Sequence, residues 1–182
     1  MRPYAFGGLS LNGGGYVPLA GTVGTGLQLD TARLFGLAEF WSDDAAKQDT
    51  HTGHDIGIRT RGFYRLGRGW YAGAGVQWNR LDTSAYSKQA WHPVLGGGKD
   101  LISERFSMRA QLLYVLPGSD HINAVQGPEI GLWWPSPARR RHFFYRQSLG
   151  LYEFHQSAVP GNSGASEQSL AAFSEFTFMY RF

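Results

Sequence analysis

The chain has 182 residues, a formal net charge of +3 and no cysteine. The lack of cysteine excludes disulfides and thiolate chemistry, and the modest charge, with no basic stripe interleaved with aromatic residues, argues against nucleic-acid binding. No apolar run is long enough for a transmembrane helix. Glycine (25 residues) and aromatic residues (15%) are abundant, as is typical of β-barrels. Because no linker divides residues 1–182, we expect a single domain.

Ten strand-like segments follow one another along the chain, separated by clusters of Gly, Pro, Asn, Asp and Ser. They cover residues 4–11, 22–30, 34–41, 55–64, 70–81, 90–101, 106–116, 125–134, 142–154 and 170–182. The even-numbered connections are short, whereas the odd-numbered ones are mostly longer and more polar. This alternation predicts an all-β, antiparallel, up-and-down transmembrane barrel with both termini at the short-turn end. We predict ten strands, with eight as the alternative.

Alternation within the segments predicts which side chains face outward. In the fifth segment one face carries Trp70, Ala72, Ala74, Val76 and Trp78. Eight steps of about 3.3 Å along a tilted strand nearly cross an apolar band of roughly 25 Å, so the two tryptophans fit two interfacial aromatic girdles. The fourth, seventh and eighth segments likewise have one apolar face. In the third and ninth segments, large apolar residues fall on both faces, and a purely lipid-facing pattern fails there.

The last strand carries the most specific signal, with aromatic residues at every second position: Phe176, Phe178, Tyr180 and Phe182. This ending resembles the C-terminal signature of bacterial outer-membrane β-barrels, which the barrel assembly machinery reads. The resemblance implies a small barrel of the OmpA/OmpX/OmpW-like class, without a specific family. It also implies a Gram-negative outer membrane, lipid and lipopolysaccharide as surroundings, and a monomer. We interpret Met1 as a start added to a mature chain whose signal peptide has been removed.

Charged residues in the middle of strands should face inward, since an arginine on the lipid side costs about 2–4 kcal/mol near the bilayer midplane. The expected lumen charge network comprises Glu39, Arg59, Arg61, Arg109, Glu129, Arg146 and Glu175. Unpaired buried charge is costly, so these groups should pair. Because eight to ten strands enclose a bore that side chains can largely fill, we expect the network to fill and rigidify the interior. A narrow, charge-gated channel is the alternative.

Two polar loop sites resemble the omptin proteases, in which paired aspartates and a His–Asp dyad activate a water between two loops. Asp43 and Asp44 adjoin the second long loop, and Asp120 and His121 lie in the fourth. Here the pairs are adjacent in sequence, and the chain is short for the tall extracellular walls of that family. A rim hydrolase using these four residues is therefore an alternative to a non-enzymatic barrel.

Three further motifs are weaker. Residues 49–55 gather two His and two Asp, a composition that a polar loop explains without a metal. Ser157 near His155 is the best local pair for a lipid-A-modifying enzyme. Glycines 96–98 lack the Ser/Thr and the helix of a phosphate loop and instead predict a crowded or bent stretch of wall. We expect no cofactor and no metal.

Basic residues cluster on the predicted short turns, namely Arg33, Arg65, Arg68, Arg105 and Arg139–Arg141. They are expected to form a solvated rim or, alternatively, to contact anionic phospholipid headgroups. Taken together, the sequence predicts an integral outer-membrane barrel with a structural or adhesive role, or a narrow passage, and a charge-filled lumen.

Overall fold

The computed structural model describes residues 1–13, 19–45, 53–83, 87–118, 125–138, 141–156 and 167–182. These residues form a closed antiparallel β-barrel of ten strands. The predicted fold class is confirmed, and so is the strand number of ten rather than eight. No helix in these ranges is long and apolar enough to cross a membrane.

The strands lie close to the predicted segments and are mostly a few residues longer. Their bounds are β1 Arg2–Gly13, β2 Leu19–Asp30, β3 Leu34–Ala45, β4 Gly53–Gly67, β5 Trp70–Thr83, β6 Ser87–Ile102, β7 Ser107–Val115, β8 Val125–Trp134, β9 Phe143–Gln156 and β10 Glu167–Arg181.

Every strand pairs with its neighbours in sequence, and β1 closes the barrel by pairing with β10, with Tyr4 opposite Arg181. Closure leaves no free sheet edge, so every strand has partners for its backbone groups on both sides. The strand ends gather residues 31–33, 68–69, 103–106, 135–138 and 141–142 at one end of the barrel, together with both termini. The opposite ends of the strands, among them Gly13, Leu19, Ala45 and Gly53, lie at the other end.

The turn between β4 and β5 shows why glycine is placed at strand ends. Gly67, Arg68 and Gly69 all have positive φ, at 103°, 50° and 81°. Such left-handed backbone is costly for most residues and nearly free for glycine. The two glycines therefore allow a two-residue reversal, with a bulge in the β4–β5 pairing between Arg65 and Gly67.

The outer face of the barrel is apolar and exposed, whereas the inner face is buried. Along β7, for example, residues alternate strictly between the two sides. β3 and β9 follow the same rule even though both their faces carry large apolar groups, since Phe40 and Phe143 point outward while Leu37 and Phe144 point inward. The pattern seemed irregular in the sequence because the interior itself contains many apolar side chains.

We predict that Leu112→Arg, near the middle of β7, lowers the free energy of unfolding in lipid vesicles by about 2–4 kcal/mol. Leu112 is 57% exposed, so in water the same change would be nearly neutral. Leu66→Arg is the matched control, because Leu66 is also exposed but adjoins a short turn, where the expected cost falls to about 0–1 kcal/mol. Equal, small effects in a denaturant titration would contradict a lipid-facing outer wall.

Candidate functional site: the barrel interior

Inward side chains fill the bore of the barrel along the described strands. Two groups of buried apolar residues line different parts of the wall and meet on β3. The first contains Tyr4, Phe6, Leu37, Trp41, Trp133, Phe144 and Met179. The second contains Phe35, Phe63, Tyr71, Val94, Leu113 and Val115. The interior is thus a packed core with charged groups between apolar ones, in the manner expected for a narrow barrel.

Several of the large interior rings lie against glycines of a neighbouring strand. The ring of Tyr4 lies over Gly26, and the ring of Phe6 over Gly24 on the same strand. A methyl group at either glycine would overlap the ring, so the missing side chain makes room for it. Tyr71 likewise lies against Gly98, which explains part of the glycine run at residues 96–98 as crowded wall, as the sequence indicated.

Glu39 is the centre of the largest polar network. Its carboxylate accepts a hydrogen bond from the Tyr4 hydroxyl at 2.7 Å and is paired with Arg59. Arg146 Nη1 donates to both oxygens of Glu39 at 3.0 and 3.1 Å. Arg146 Nη2 also donates to Glu175 at 3.0 Å. The network around Glu39 on β3 therefore includes side chains from β1, β4, β9 and β10. Because both oxygens of the buried Glu39 are hydrogen-bonded, its charge is compensated inside the barrel.

A second cross-bore contact joins β4 to β8. Arg61 Nη2 lies 3.6 Å from the Glu129 carboxylate, and both side chains are buried. The structure therefore places six of the seven predicted lumen charges, Glu39, Arg59, Arg61, Glu129, Arg146 and Glu175, in two neighbouring groups. The seventh, Arg109, belongs to a different cluster.

Asp100 organises the cluster near the short-turn end. Its carboxylate accepts two hydrogen bonds from Arg109, at 2.8 and 2.9 Å, and one from Arg65 at 3.2 Å. The Ser136 hydroxyl donates a further one at 2.8 Å. Sequence reasoning missed Asp100, and it placed Arg65 on a solvated short turn, whereas Arg65 is part-buried and paired with Asp100. The register of β6 on β7, which places Asp100 directly opposite Arg109, could have identified Asp100.

Interior arginines also lie against the faces of aromatic rings, and this cation–π contact stabilises their charge in addition to the ion pairs. The guanidinium carbon of Arg109 is 4.0 Å from the centre of the Phe35 ring and 5.2 Å from that of Tyr71. That of Arg146 is 5.2 Å from Trp133. Each guanidinium therefore contacts both a carboxylate and a ring, so the apolar groups and the ion pairs form one packed unit.

The segment after β8 folds inward and covers the short-turn end. Ser136 is buried, and its backbone N–H donates to the backbone carbonyl of Ser107. Arg181 Nη2 donates to the carbonyl of Pro137 at 3.0 Å and to the side chain of Gln28 at 2.6 Å. The sequence predicted only a solvated short turn at residues 135–141. Its first residues instead contribute to the closure of the bore.

The structure describes only two of the four residues of the predicted rim hydrolase. Asp43 and Asp44 are consecutive on β3, so their side chains leave opposite faces of the strand. The Asp44 carboxylate and His54 Nδ1 lie 2.6 Å apart, across β3 and β4. Asp120 and His121 lie outside the described residues, as do Ser157, most of residues 49–55 and the side chain of His155. No group of three or more His, Cys, Asp or Glu residues in the described ranges could hold a metal ion.

The predicted assembly residues, Phe176, Phe178, Tyr180 and Phe182, all lie on the outer face of the barrel. They pack against aromatic residues of β9: the ring centres of Tyr180 and Phe143 are 4.9 Å apart, and those of Phe178 and Tyr145 are 4.6 Å apart. The result is an aromatic ladder on the outside of the two strands next to the β1–β10 closure, reaching the short-turn end.

The closed ten-stranded sheet and its apolar outer face define the molecule. It is a transmembrane β-barrel. No family model matches the sequence, and no curated protein is similar to it.

Among solved structures, the chain is similar to an anion-selective porin from Comamonas acidovorans, with a TM-score of 0.41 and 9% identity over 96% of this chain. It spans only 59% of the porin chain. It is also similar to the β-domain of the Bordetella autotransporter BrkA, with a TM-score of 0.42 and 13% identity over 100% of this chain and 99% of that one. Both neighbours are outer-membrane β-barrels.

We predict that Asp100→Ala lowers the free energy of unfolding by about 3–5 kcal/mol, because it leaves the buried Arg109 without its carboxylate. Glu104→Ala is the matched control at the same end of the barrel. Glu104 is exposed in the turn between β6 and β7, so its loss should change stability by less than about 0.5 kcal/mol. A denaturant titration in micelles or vesicles measures both, and similar small values would show that water reaches Asp100.

Proposed function

We propose that the protein is an integral, non-enzymatic barrel of a Gram-negative outer membrane whose bore is closed to solutes. Its role is structural or adhesive: the wall holds the long loops at one membrane surface. The C-terminal aromatic ladder supports recognition by the barrel assembly machinery, and the closed sheet supports a monomer surrounded by phospholipid and lipopolysaccharide.

The observation that carries the proposal is the set of ion pairs across the bore. Arg146 on β9 reaches Glu39 on β3, and Arg61 on β4 reaches Glu129 on β8. In the ring of ten strands, β3 and β9 are separated by three strands on the shorter path, and so are β4 and β8. These contacts therefore bridge the interior rather than line one side of it. A solute could pass only by breaking them.

We predict that the reconstituted wild-type barrel gives no stable conductance steps in a planar bilayer. Ten strands enclose little more than their own side chains, and the Arg146–Glu39 and Arg61–Glu129 pairs cross the space that remains. Insertion is checked independently by a folded band that shifts on heating before electrophoresis. A large, ohmic and ion-selective conductance from inserted protein would contradict a closed bore and would favour the channel alternative.

The rim hydrolase is the second candidate, and the 2.6 Å contact between Asp44 and His54 is the observation that favours it. An imidazole oriented by a carboxylate is one component of a water-activating group. Both side chains are solvent-accessible at the long-loop end. Turnover of peptide or lipid-A substrates by wild-type protein, lost in His54→Ala, would establish this activity over the non-enzymatic role.

A further inference from the structure

The outer wall of the barrel is not uniformly covered by large side chains. A groove of about 660 Å³ lies on the outer face of β2–β5. Its floor consists of small residues in two rows of the sheet, with Gly36 opposite Gly62 and Ala38 opposite Thr60. A Cβ at Gly62 would meet no atom within 4 Å, so the depression arises from missing side chains and is not filled from within.

Larger apolar residues surround this floor. Leu27 and Leu29 form one side and Val76 the other, in the same two rows. Leu34 and Tyr64 are opposite each other in the next row towards the short turns, and both are about half exposed. The groove is therefore narrow and apolar and lies in the membrane-facing wall, where hydrocarbon chains are the surrounding solvent.

The short-turn end beside the groove is basic. Arg33 and Arg68 occupy the two turns that flank it, and both are exposed. Among the described residues neither takes part in an ion pair, whereas the acid at this end of β2, Asp30, is paired with Arg65 at 2.6 Å. The charge that the turns present is thus positive and uncompensated.

The spacing between the arginines and the groove fits one lipid molecule. Gly36 follows Arg33 by three residues, about 10 Å along a strand. A headgroup layer is about 5–7 Å thick on each side of the hydrocarbon core. A phosphate held by Arg33 and Arg68 would therefore place the start of an acyl chain at the groove, and Tyr64 would lie between the two regions, where tyrosine is favoured.

We propose that this groove and the arginines of its two turns form a binding site for one anionic phospholipid from the leaflet at the short-turn end. An acyl chain occupies the groove, and the phosphate contacts Arg33 and Arg68. The site rests on the membrane location proposed above. It does not depend on whether the bore conducts.

Native mass spectrometry of detergent-solubilised protein, incubated with phosphatidylglycerol and phosphatidylcholine of equal chain length, tests the site. One arginine near an anionic lipid surface is worth about a five-fold gain in affinity, so wild-type protein should retain one phosphatidylglycerol at least about five-fold better than phosphatidylcholine. Arg33→Gln with Arg68→Gln should abolish this preference. Gly62→Leu should remove retention of both lipids by filling the groove.

Gly21→Leu is the matched control, because Gly21 is also exposed on β2 with no atom within 4 Å of a Cβ, but it lies towards the long loops. It should retain phosphatidylglycerol as the wild type does. Equal retention in Gly62→Leu and wild type, or a preference that survives loss of both arginines, would overturn the proposal. So would a dimer that Gly62→Leu dissociates, or stronger retention of lipopolysaccharide than of phosphatidylglycerol.

Folding of the wild-type protein, measured as a band that shifts on heating before electrophoresis, distinguishes failure of the membrane location from failure of the lipid site. If wild-type protein does not fold in micelles or vesicles, the membrane location itself is wrong. If it folds and inserts but retains no anionic lipid, only the lipid site is wrong.

Discussion

The structure depends on the requirement that each charge facing a narrow, packed bore be compensated there. Glu39 and Asp100 show how this is met: each carboxylate accepts hydrogen bonds from two arginines and one hydroxyl group. Removing one partner leaves an unpaired buried charge, and this lowers the free energy of unfolding by far more than the intact pair contributes to it. Each buried charge therefore requires its partner inside the barrel, and the large rings pack around these ion pairs.

The division between the two faces of the wall follows from the same requirement. The buried ion pairs lie in the interior, whereas the outer face carries mainly apolar residues and interfacial aromatics. Glycine serves both faces in different ways. On the inside, Gly24 and Gly26 make room for the rings of Phe6 and Tyr4, whereas on the outside Gly36 and Gly62 leave a groove that a lipid chain can fill. In the proposed function the bore is closed to solutes, and the surface features that remain for binding lie on the outer wall and at the loops.

Much of this architecture could be predicted from residue alternation. The period of two placed Arg59 and Arg61 inside and Ile58 outside, the count of strand-like segments predicted ten strands, and the alternating lengths of the connections predicted the up-and-down layout. The partners of each charge could not be predicted, because contacts such as Arg146–Glu39 join residues 107 positions apart and depend on barrel register. Asp100 and Ser136 were missed for the same reason. β3 and β9 were ambiguous since apolar side chains on both faces erase the alternation on which the prediction relies.

A double-mutant cycle on Glu39 and Arg146 tests the central claim that ion pairs bridge a dry bore. The measured quantity is the free energy of unfolding in vesicles for Glu39→Gln, Arg146→Met and the double variant. We predict that each single change costs about 3–5 kcal/mol and that the double change costs less than their sum by up to about 3 kcal/mol. Additive, small effects would contradict the account, because they would show two separately hydrated side chains in a water-filled lumen.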